Sequence, residues 1–211
     1  MIVWTQQRLS FLDDLQRNGV VFCTEESDMY EDCGFAYDWL VAQMHTRLLP
    51  PPIADIKLPL WCWVQYNNYK SRKPKFTPSK DENGYYAEVF IEADIPDNLL
   101  LQSDFYLWSW YCLNGWEIGN KQLHKEWGRF IDENFAGSGF RFYDLPADMQ
   151  CRIKKSWEHI FDLDYRNHCY RRCSRRNKSI QATFWLLRKE WVREVRIFTP
   201  EDGFRVYNWP Q

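Results

Sequence analysis

The sequence contains no apolar run that approaches the roughly 20 residues needed for a membrane-spanning helix. It also lacks a basic segment followed by a long apolar stretch, which would mark a secretory signal peptide. Its seven cysteines are odd in number and irregularly spaced, which favours reduced thiols over a disulfide framework. We therefore expect a cytoplasmic protein that has no contact with a membrane.

Several catalytic and cofactor signatures are also missing. Gly137-Ser138-Gly139 has neither the lysine nor the spacing of a phosphate-binding loop, and the chain has no Gly-x-Ser-x-Gly elbow. The spacing of Cys169 and Cys173 is wrong for a zinc knuckle, and no second Cys/His pair lies nearby. We therefore expect no metal site. The missing Gly-x-Ser-x-Gly elbow argues against an α/β-hydrolase.

The chain has little net charge, but it is rich in aromatic residues. The net charge is −2, so no overall field draws the chain to nucleic acid or to a membrane. Aromatic residues make up 18% of the chain, and each of these side chains buries a large area. Most of them are expected in a core built from large rings. The sharper alternative is that a few line a cleft for a planar ligand.

With 211 residues, the chain has the length of a single globular domain, 1–211. Its start predicts a strand over 1–5, a helix from Leu9 that Ser10 caps and Gly19 ends, and a second strand over 20–23. The pattern predicts further helices over 35–49, 121–134, 148–161 and 191–195, and a helix capped near Ser103. It predicts strands over 58–66, 85–95, 180–187 and 195–199. Exposed loops are predicted near 67–84 and 165–179. The fold class is therefore α+β, with a curved mixed or antiparallel sheet flanked by helices.

The loop over 166–178 is rich in arginine, has interleaved aromatic residues and holds no acidic residue. A basic loop of this kind suits phosphate and stacking contacts with single-stranded nucleic acid. The candidate contacts are Arg171, Arg172, Arg175 and Arg176. The alternative is a solvated loop that is balanced by acidic residues nearby.

The closing strand, 180–187, carries two polar residues in an apolar setting. Side chains alternate along a strand, so Gln181 and Thr183 point to the same face. A structural interpretation is that this pair satisfies buried backbone groups.

Motifs along most of the chain point to a known family. They are Trp4-Thr5-Gln6, Tyr37-Asp38-Trp39-Leu40, Pro59-Leu60-Trp61-Cys62-Trp63, Ile95-Pro96 with Ser103-Asp104-Phe105, Lys155-Ser156-Trp157 with Ile160-Phe161, and Ile180-Gln181-Ala182-Thr183-Phe184-Trp185. Together they resemble the bacterial family catalogued as domain of unknown function 3841, over residues 3 to 199. The family name implies no activity.

The two ends of the chain also resemble the ADP-ribosyltransferase fold. Members of that superfamily often begin with a strand that carries an early polar residue, then a helix, a glycine and a second strand, as around Trp4-Thr5 and Gly19. Many end in a Gln-Ala-Glu strand, to which Gln181-Ala182-Thr183 is similar. The resemblance implies a protein that binds NAD or another nucleotide, with transfer of ADP-ribose as its chemistry.

The resemblance also implies roles for individual residues. A glutamate on the closing strand stabilises the positive charge that builds on the ribose as the nicotinamide bond breaks. That position falls on Thr183, which can hydrogen-bond a hydroxyl group but cannot supply a negative charge. The catalytic site is therefore expected to be non-standard, centred on Gln181 and Thr183. The residues expected around the ligand are Thr5 and Tyr37, with Trp4, Trp61 and Trp63 as stacking walls.

Two other classes of function stay open at this point. One is a nucleic-acid-binding protein that uses the arginine-rich loop. The other is a non-catalytic interaction protein that uses exposed aromatic side chains. The sequence sets no oligomeric state.

Overall fold

The structure is a computed structural model. It describes residues 1–23, 28–54, 56–66, 73–135, 140–166 and 174–209.

Eleven strands and five α-helices lie in the described part of the chain. The strands are β1 (Ile2–Arg8), β2 (Val20–Phe22), β3 (Leu60–Gln65), β4 (Lys80–Asp81), β5 (Gly84–Tyr85), β6 (Glu88–Asp94), β7 (Leu101–Asp104), β8 (Ile180–Phe184), β9 (Leu186–Arg188), β10 (Val192–Thr199) and β11 (Gly203–Tyr207). The helices are α1 (Leu9–Asn18), α2 (Asp28–Arg47), α3 (Phe105–Leu107), α4 (Lys121–Phe135) and α5 (Ala147–Ser156). A π-helical segment, Trp108–Cys112, follows α3 directly and is called the π turn below.

Seven strands form the central sheet, in the order β11-β10-β6-β1-β3-β8-β7. Every pairing in it is antiparallel. The prediction of an α+β fold is confirmed, and the sheet is antiparallel and open. Two small two-stranded sheets, β2 with β9 and β4 with β5, lie beside it.

The N-terminal unit follows from local sequence signals. Helix α1 ends at Gly19, whose φ of 73° is left-handed and whose N–H donates to Leu15 O at 3.0 Å. Its start differs from the prediction, because Arg8 precedes the helix in an extended conformation and no side chain caps it. Ser10 lies inside the helix, since β1 runs on to Arg8 and α1 begins at once.

The two faces of the central sheet are covered differently. One face, the α1 face, packs apolar side chains such as Val3, Ile91 and Ala182 against Leu12 and Leu15 of α1. The opposite face, here the aromatic face, is covered at Trp61 of β3 by Tyr37 of α2 and Trp108 of the π turn. That layer has a core of large rings, which include Phe35, Tyr37, Trp39, Trp108, Tyr111, Phe142 and Trp157.

The closing segment differs from its prediction. The expected strand over 180–187 is two strands, β8 and β9, that belong to different sheets and flank Trp185. The expected helix over 191–195 is wrong, because Trp191 ends a 3-10 turn and residues 192–195 belong to strand β10. Val192 and Val195 are buried on the α1 face and β10 pairs with β6, so sheet pairing decides this conformation.

The two predicted loops are described in part. Residues 67–72 and 167–173 lie outside the described residues. Within the first range, β4 and β5 form a small hairpin. At the end of the second, Lys178 and Ser179 are buried. No helix in the described part of the chain is both long and apolar enough to cross a membrane.

Candidate functional site

A row of directly opposed residues crosses six strands of the aromatic face. From β7 to β10 the row is Ser103, Gln181, Trp63, Trp4, Glu92 and Glu194. Directly opposed residues on neighbouring strands point to the same face, with Cβ atoms about 4.5–5.5 Å apart. The tertiary pairing therefore aligns residues that are far apart in sequence.

Three polar side chains at the β7–β8 end of this face are buried without partners. The exposed fractions are 1% for Ser103, 6% for Gln181 and 1% for Thr183. Among the described residues, Ser103 Oγ, Gln181 Nε2 and Thr183 Oγ1 have no hydrogen-bond partner. A buried polar atom without a partner costs about 1–3 kcal/mol. We call these three residues the polar cluster.

Aromatic side chains adjoin the polar cluster. Thr183 lies opposite Trp61 and Gln181 lies opposite Trp63. The Trp61 ring is 5.3 Å from Trp108 of the π turn and 6.4 Å from Tyr37. Five of the predicted ligand residues are therefore brought into one region: Gln181, Thr183, Trp61, Trp63 and Tyr37.

Tyr37 is buried, and burial raises the pKa of its phenol above the ordinary value. Nearby Cys33 and Cys23 add to the rise in pKa. The phenol is therefore neutral at physiological pH and keeps its proton as a hydrogen-bond donor.

Thr5 and Trp4 are placed differently from this group. Thr5 lies opposite Ile91, on the α1 face, and its hydroxyl donates to Trp61 O at 2.8 Å. Trp4 is on the aromatic face, but strand β3 separates it from Gln181, and its Nε1 donates to Glu92 Oε2 at 2.8 Å. The structure does not bring Thr5 to the polar cluster.

A charged network lies at the far end of the row. Lys73 Nζ is 2.8 Å from Glu92 Oε2 and 3.3 Å from Glu194 Oε2. Burial alone would raise the pKa of Glu92, but hydrogen bonds from Lys73 and Trp4 outweigh it and hold the pKa below its usual range. Burial also opposes the lowered pKa of Glu194, where hydrogen bonds from Arg196 and Lys73 prevail.

A second set of contacts fixes the described end of the arginine-rich loop. Gln65 Nε2 donates to the carbonyl oxygens of Arg175, Arg176 and Lys178 at 2.9–3.0 Å. Lys178 Nζ forms a buried ion pair with Asp104 Oδ2 at 2.9 Å. Arg175 and Arg176 are exposed on this fixed turn. Arg171 and Arg172 lie outside the described residues.

Ser103 is the member of the polar cluster that sequence reasoning did not assign to the site. The sequence placed it at a helix cap, but the cap is Asp104, whose Oδ1 accepts from Tyr106 N and Leu107 N. Ser103 lies in β7, directly opposite Gln181. No local signal could reveal this, because strand pairing is a non-local property.

In the described part of the chain, no group of three or more His, Cys, Asp or Glu side chains is placed to hold an ion. The fold and the site define an α+β protein with an open antiparallel sheet and a buried cluster of uncharged polar groups beside an aromatic layer.

The model of the family described as Domain of unknown function (DUF3841) matches residues 2–193, and the chain belongs to this family. No curated protein and no solved structure matches the chain. The resemblance to the ADP-ribosyltransferase fold stays a prediction.

Proposed function

We propose that the protein binds a nucleotide of the NAD type on the aromatic face of β3, β8 and β7. The observation that carries the proposal is the polar cluster, three buried hydrogen-bonding atoms that have no protein partner. A ligand that supplies these partners recovers the free energy that the unpaired atoms cost. Buried polar groups that remain unpaired in a native structure call for such an explanation.

The chemistry of the cluster matches an uncharged part of a nucleotide. Gln181 offers amide donors, while Ser103 and Thr183 offer hydroxyl groups that both donate and accept. Ribose hydroxyls and a carboxamide have the complementary donors and acceptors. The Trp61 and Trp63 indoles provide faces on which a planar base stacks.

Binding, and not efficient bond cleavage, is the activity we propose. Cleaving the bond between nicotinamide and ribose builds positive charge, which a carboxylate stabilises. None of the three cluster residues carries charge. The resemblance to the ADP-ribosyltransferase fold implies that Thr183 stands where that fold has a glutamate. Any transfer of ADP-ribose is therefore expected to be slow.

Access to the cluster requires movement of its cover. Ser103 and Thr183 are each only 1% exposed, so a ligand reaches them only if part of the aromatic layer shifts. The π turn carries Trp108, which packs on Trp61 at 5.3 Å. Single π turns occur frequently at functional sites, so this turn is the part of the cover that we expect to move.

A thermal-shift titration with NAD, ADP-ribose and ATP tests the proposal on the wild type and on Thr183→Val. The valine variant removes an unpaired hydroxyl while keeping the shape, so we expect the stability of the free protein to stay equal or to rise by about 1 kcal/mol. A ligand at 100 times its Kd stabilises the wild type by about 2.7 kcal/mol. We expect this shift to shrink strongly in Thr183→Val.

Thr5→Val is the matched control. It lies on the other face and loses its hydrogen bond to Trp61 O, so it should lower stability but keep the ligand shift. If no nucleotide shifts the melting temperature, interior water satisfies the cluster and the proposal is wrong.

Nucleic-acid binding is a second candidate, because Arg175 and Arg176 are exposed on a turn that Gln65 holds in place. A short RNA in the same titration tests it. Binding that falls with salt and disappears when Arg171, Arg172, Arg175 and Arg176 are changed to Ala would support it. RNA binding without any nucleotide shift would move the function away from the polar cluster.

A further inference from the structure

A cavity of about 980 Å³ lies among the helical elements. It opens between α2, residues 113–116 that follow the π turn, α4 and the segment 140–143. Ligand sites typically have volumes of about 300–1,000 Å³, with apolar and aromatic walls and a few polar groups. This cavity fits that description, and its lining shares no residue with the polar cluster.

Aromatic rings form much of the wall. Tyr30, Trp116, Phe140 and Tyr143 line the cavity together with the buried Phe142. Tyr143 is 63% exposed, so its ring is open to an incoming group. The wall therefore offers ring faces to which a cation is attracted.

Acidic side chains stand beside these rings. Asp32 and Asp38 line the cavity, and both are exposed. Asp38 Oδ1 accepts a hydrogen bond from the Tyr30 hydroxyl at 2.6 Å. Burial raises the pKa of Tyr143, and the charge of Asp38 adds to the rise.

The described lining of the cavity carries more negative than positive charge. Neither aspartate forms an ion pair with the residues that the structure describes. Arg141 is the one basic residue among the described lining. Two carboxylates against one guanidinium leave a negative field in an aromatic setting, which favours a cationic ligand.

Two backbone features hold the walls in place. Gly115 has a φ of +70°, and an added Cβ would lie 2.9 Å from Phe142 and 3.2 Å from Phe140. Helix α2 is interrupted at Cys33, with φ −123° and ψ 19°, where the thiol donates to Leu113 O at 3.5 Å.

We propose that this cavity binds a planar organic cation of the guanidinium or amidinium class. Such a group donates hydrogen bonds to carboxylates such as those of Asp32 and Asp38, and its flat face stacks on the aromatic wall. The site is separate from the proposed nucleotide site, and either can exist without the other.

Benzamidine and its neutral isostere benzamide are the probes. The two differ in charge and hardly in shape, so calorimetric titration of both measures the contribution of the cation. We expect benzamidine to bind at least about tenfold more tightly than benzamide, since hydrogen bonds to charged groups are the stronger ones. In the double variant Asp32→Asn, Asp38→Asn, binding of benzamidine should weaken by about tenfold or more.

Asp13→Asn is the matched control, because it removes one negative charge from α1 without touching the cavity. It should leave the benzamidine affinity unchanged. Thr183→Val should also leave it unchanged, which separates this test from that of the nucleotide site. Both cavity aspartates are exposed, so their replacement is not expected to prevent folding.

Equal affinity for benzamidine and benzamide would overturn the proposal, and so would an unchanged affinity in the double aspartate variant. Agmatine and a capped Gly-Arg-Gly tripeptide then distinguish the sources of the cation. Tighter binding of agmatine would indicate a free small molecule, and tighter binding of the tripeptide would indicate an arginine side chain on a partner protein.

Discussion

Lys178 and Asp104 form an ion pair whose side chains are only 4% and 5% exposed. Lys178 Nζ also donates to Tyr165 O at 2.8 Å, and Asp104 caps α3 through its second oxygen. Each charge is thus held by several partners, as a buried ion must be. The pair joins the end of the arginine-rich loop to β7, next to Ser103.

Replacing one partner of this pair should be costly. We expect Lys178→Met to lower the free energy of unfolding by about 3–5 kcal/mol, because it leaves the Asp104 carboxylate buried without its counter-charge. Urea denaturation measures this. The control is Arg17→Met, which breaks the exposed pair with Asp14 and should cost less than about 1 kcal/mol. A loss below about 1 kcal/mol for Lys178→Met would show that the pair is not needed.

Residues of the candidate site differ in how far the sequence could predict their positions. Gln181 and Thr183 share a face because strand alternation is local, and the structure places both on the aromatic face. Thr5 lies on the other face, and nothing in its own strand shows which face meets α1. Ser103 joins the cluster only through the pairing of β7 with β8.

At the scale of elements, Gly115 shows how a single backbone position sets the packing of two rings. We expect Gly115→Ala to lower the free energy of unfolding by about 1–3 kcal/mol, because the added methyl group meets Phe142 and Phe140 and the positive φ disfavours alanine.

Gly128 in α4 is the matched control, since an added Cβ there meets nothing within 4 Å. Gly128→Ala should raise stability by about 0.5–1 kcal/mol through helix propensity. Chemical denaturation of both variants gives the comparison, and equal effects of the two changes would contradict this account of Gly115.

Elements with strong local signals were predicted well. Helix α1 with its stop at Gly19, the long helix α2 and strand β6 follow from periodicity, glycine placement and alternation. In the closing region the predicted strand over 195–199 is confirmed within β10, but the predicted helix over 191–195 is wrong. The segments of this region are short and strongly apolar, so whether a segment such as Val192–Thr199 is strand or helix depends on a neighbour to pair with.

At the scale of the whole molecule, the loss of stability at low pH should depend on the ion pairs of Lys73 with Glu92 and Glu194. The pKa values of Glu92 and Glu194 are lowered in the folded state from an ordinary value of 4.5. A lowered carboxylate pKa adds stability above the unfolded value, and that contribution is lost as pH falls through the folded value. We therefore expect the free energy of unfolding to fall as pH drops below about 5.

Lys73→Met should flatten this acid dependence, with a loss of about 0.5–1 kcal/mol at pH 7 for a partly exposed network. Lys125→Met, on the exposed side of α4, is the control and should leave the slope unchanged. Urea denaturation at pH 7 and pH 4 measures both. An unchanged slope in Lys73→Met would mean that other carboxylates govern the acid loss.

The sequence by itself determined the α+β class, most helices and the membership of the family of unknown function. These properties depend on composition, periodicity and short motifs, which are local. Only the tertiary structure decided the strand order, the antiparallel pairing and the meeting of Ser103 with Gln181 and Thr183. It also placed Asp32 and Asp38 beside Phe140 and Tyr143 in one cavity. The reason is physical, because strand pairing and ring packing join residues that are distant in the chain and depend on burial that no short segment achieves alone.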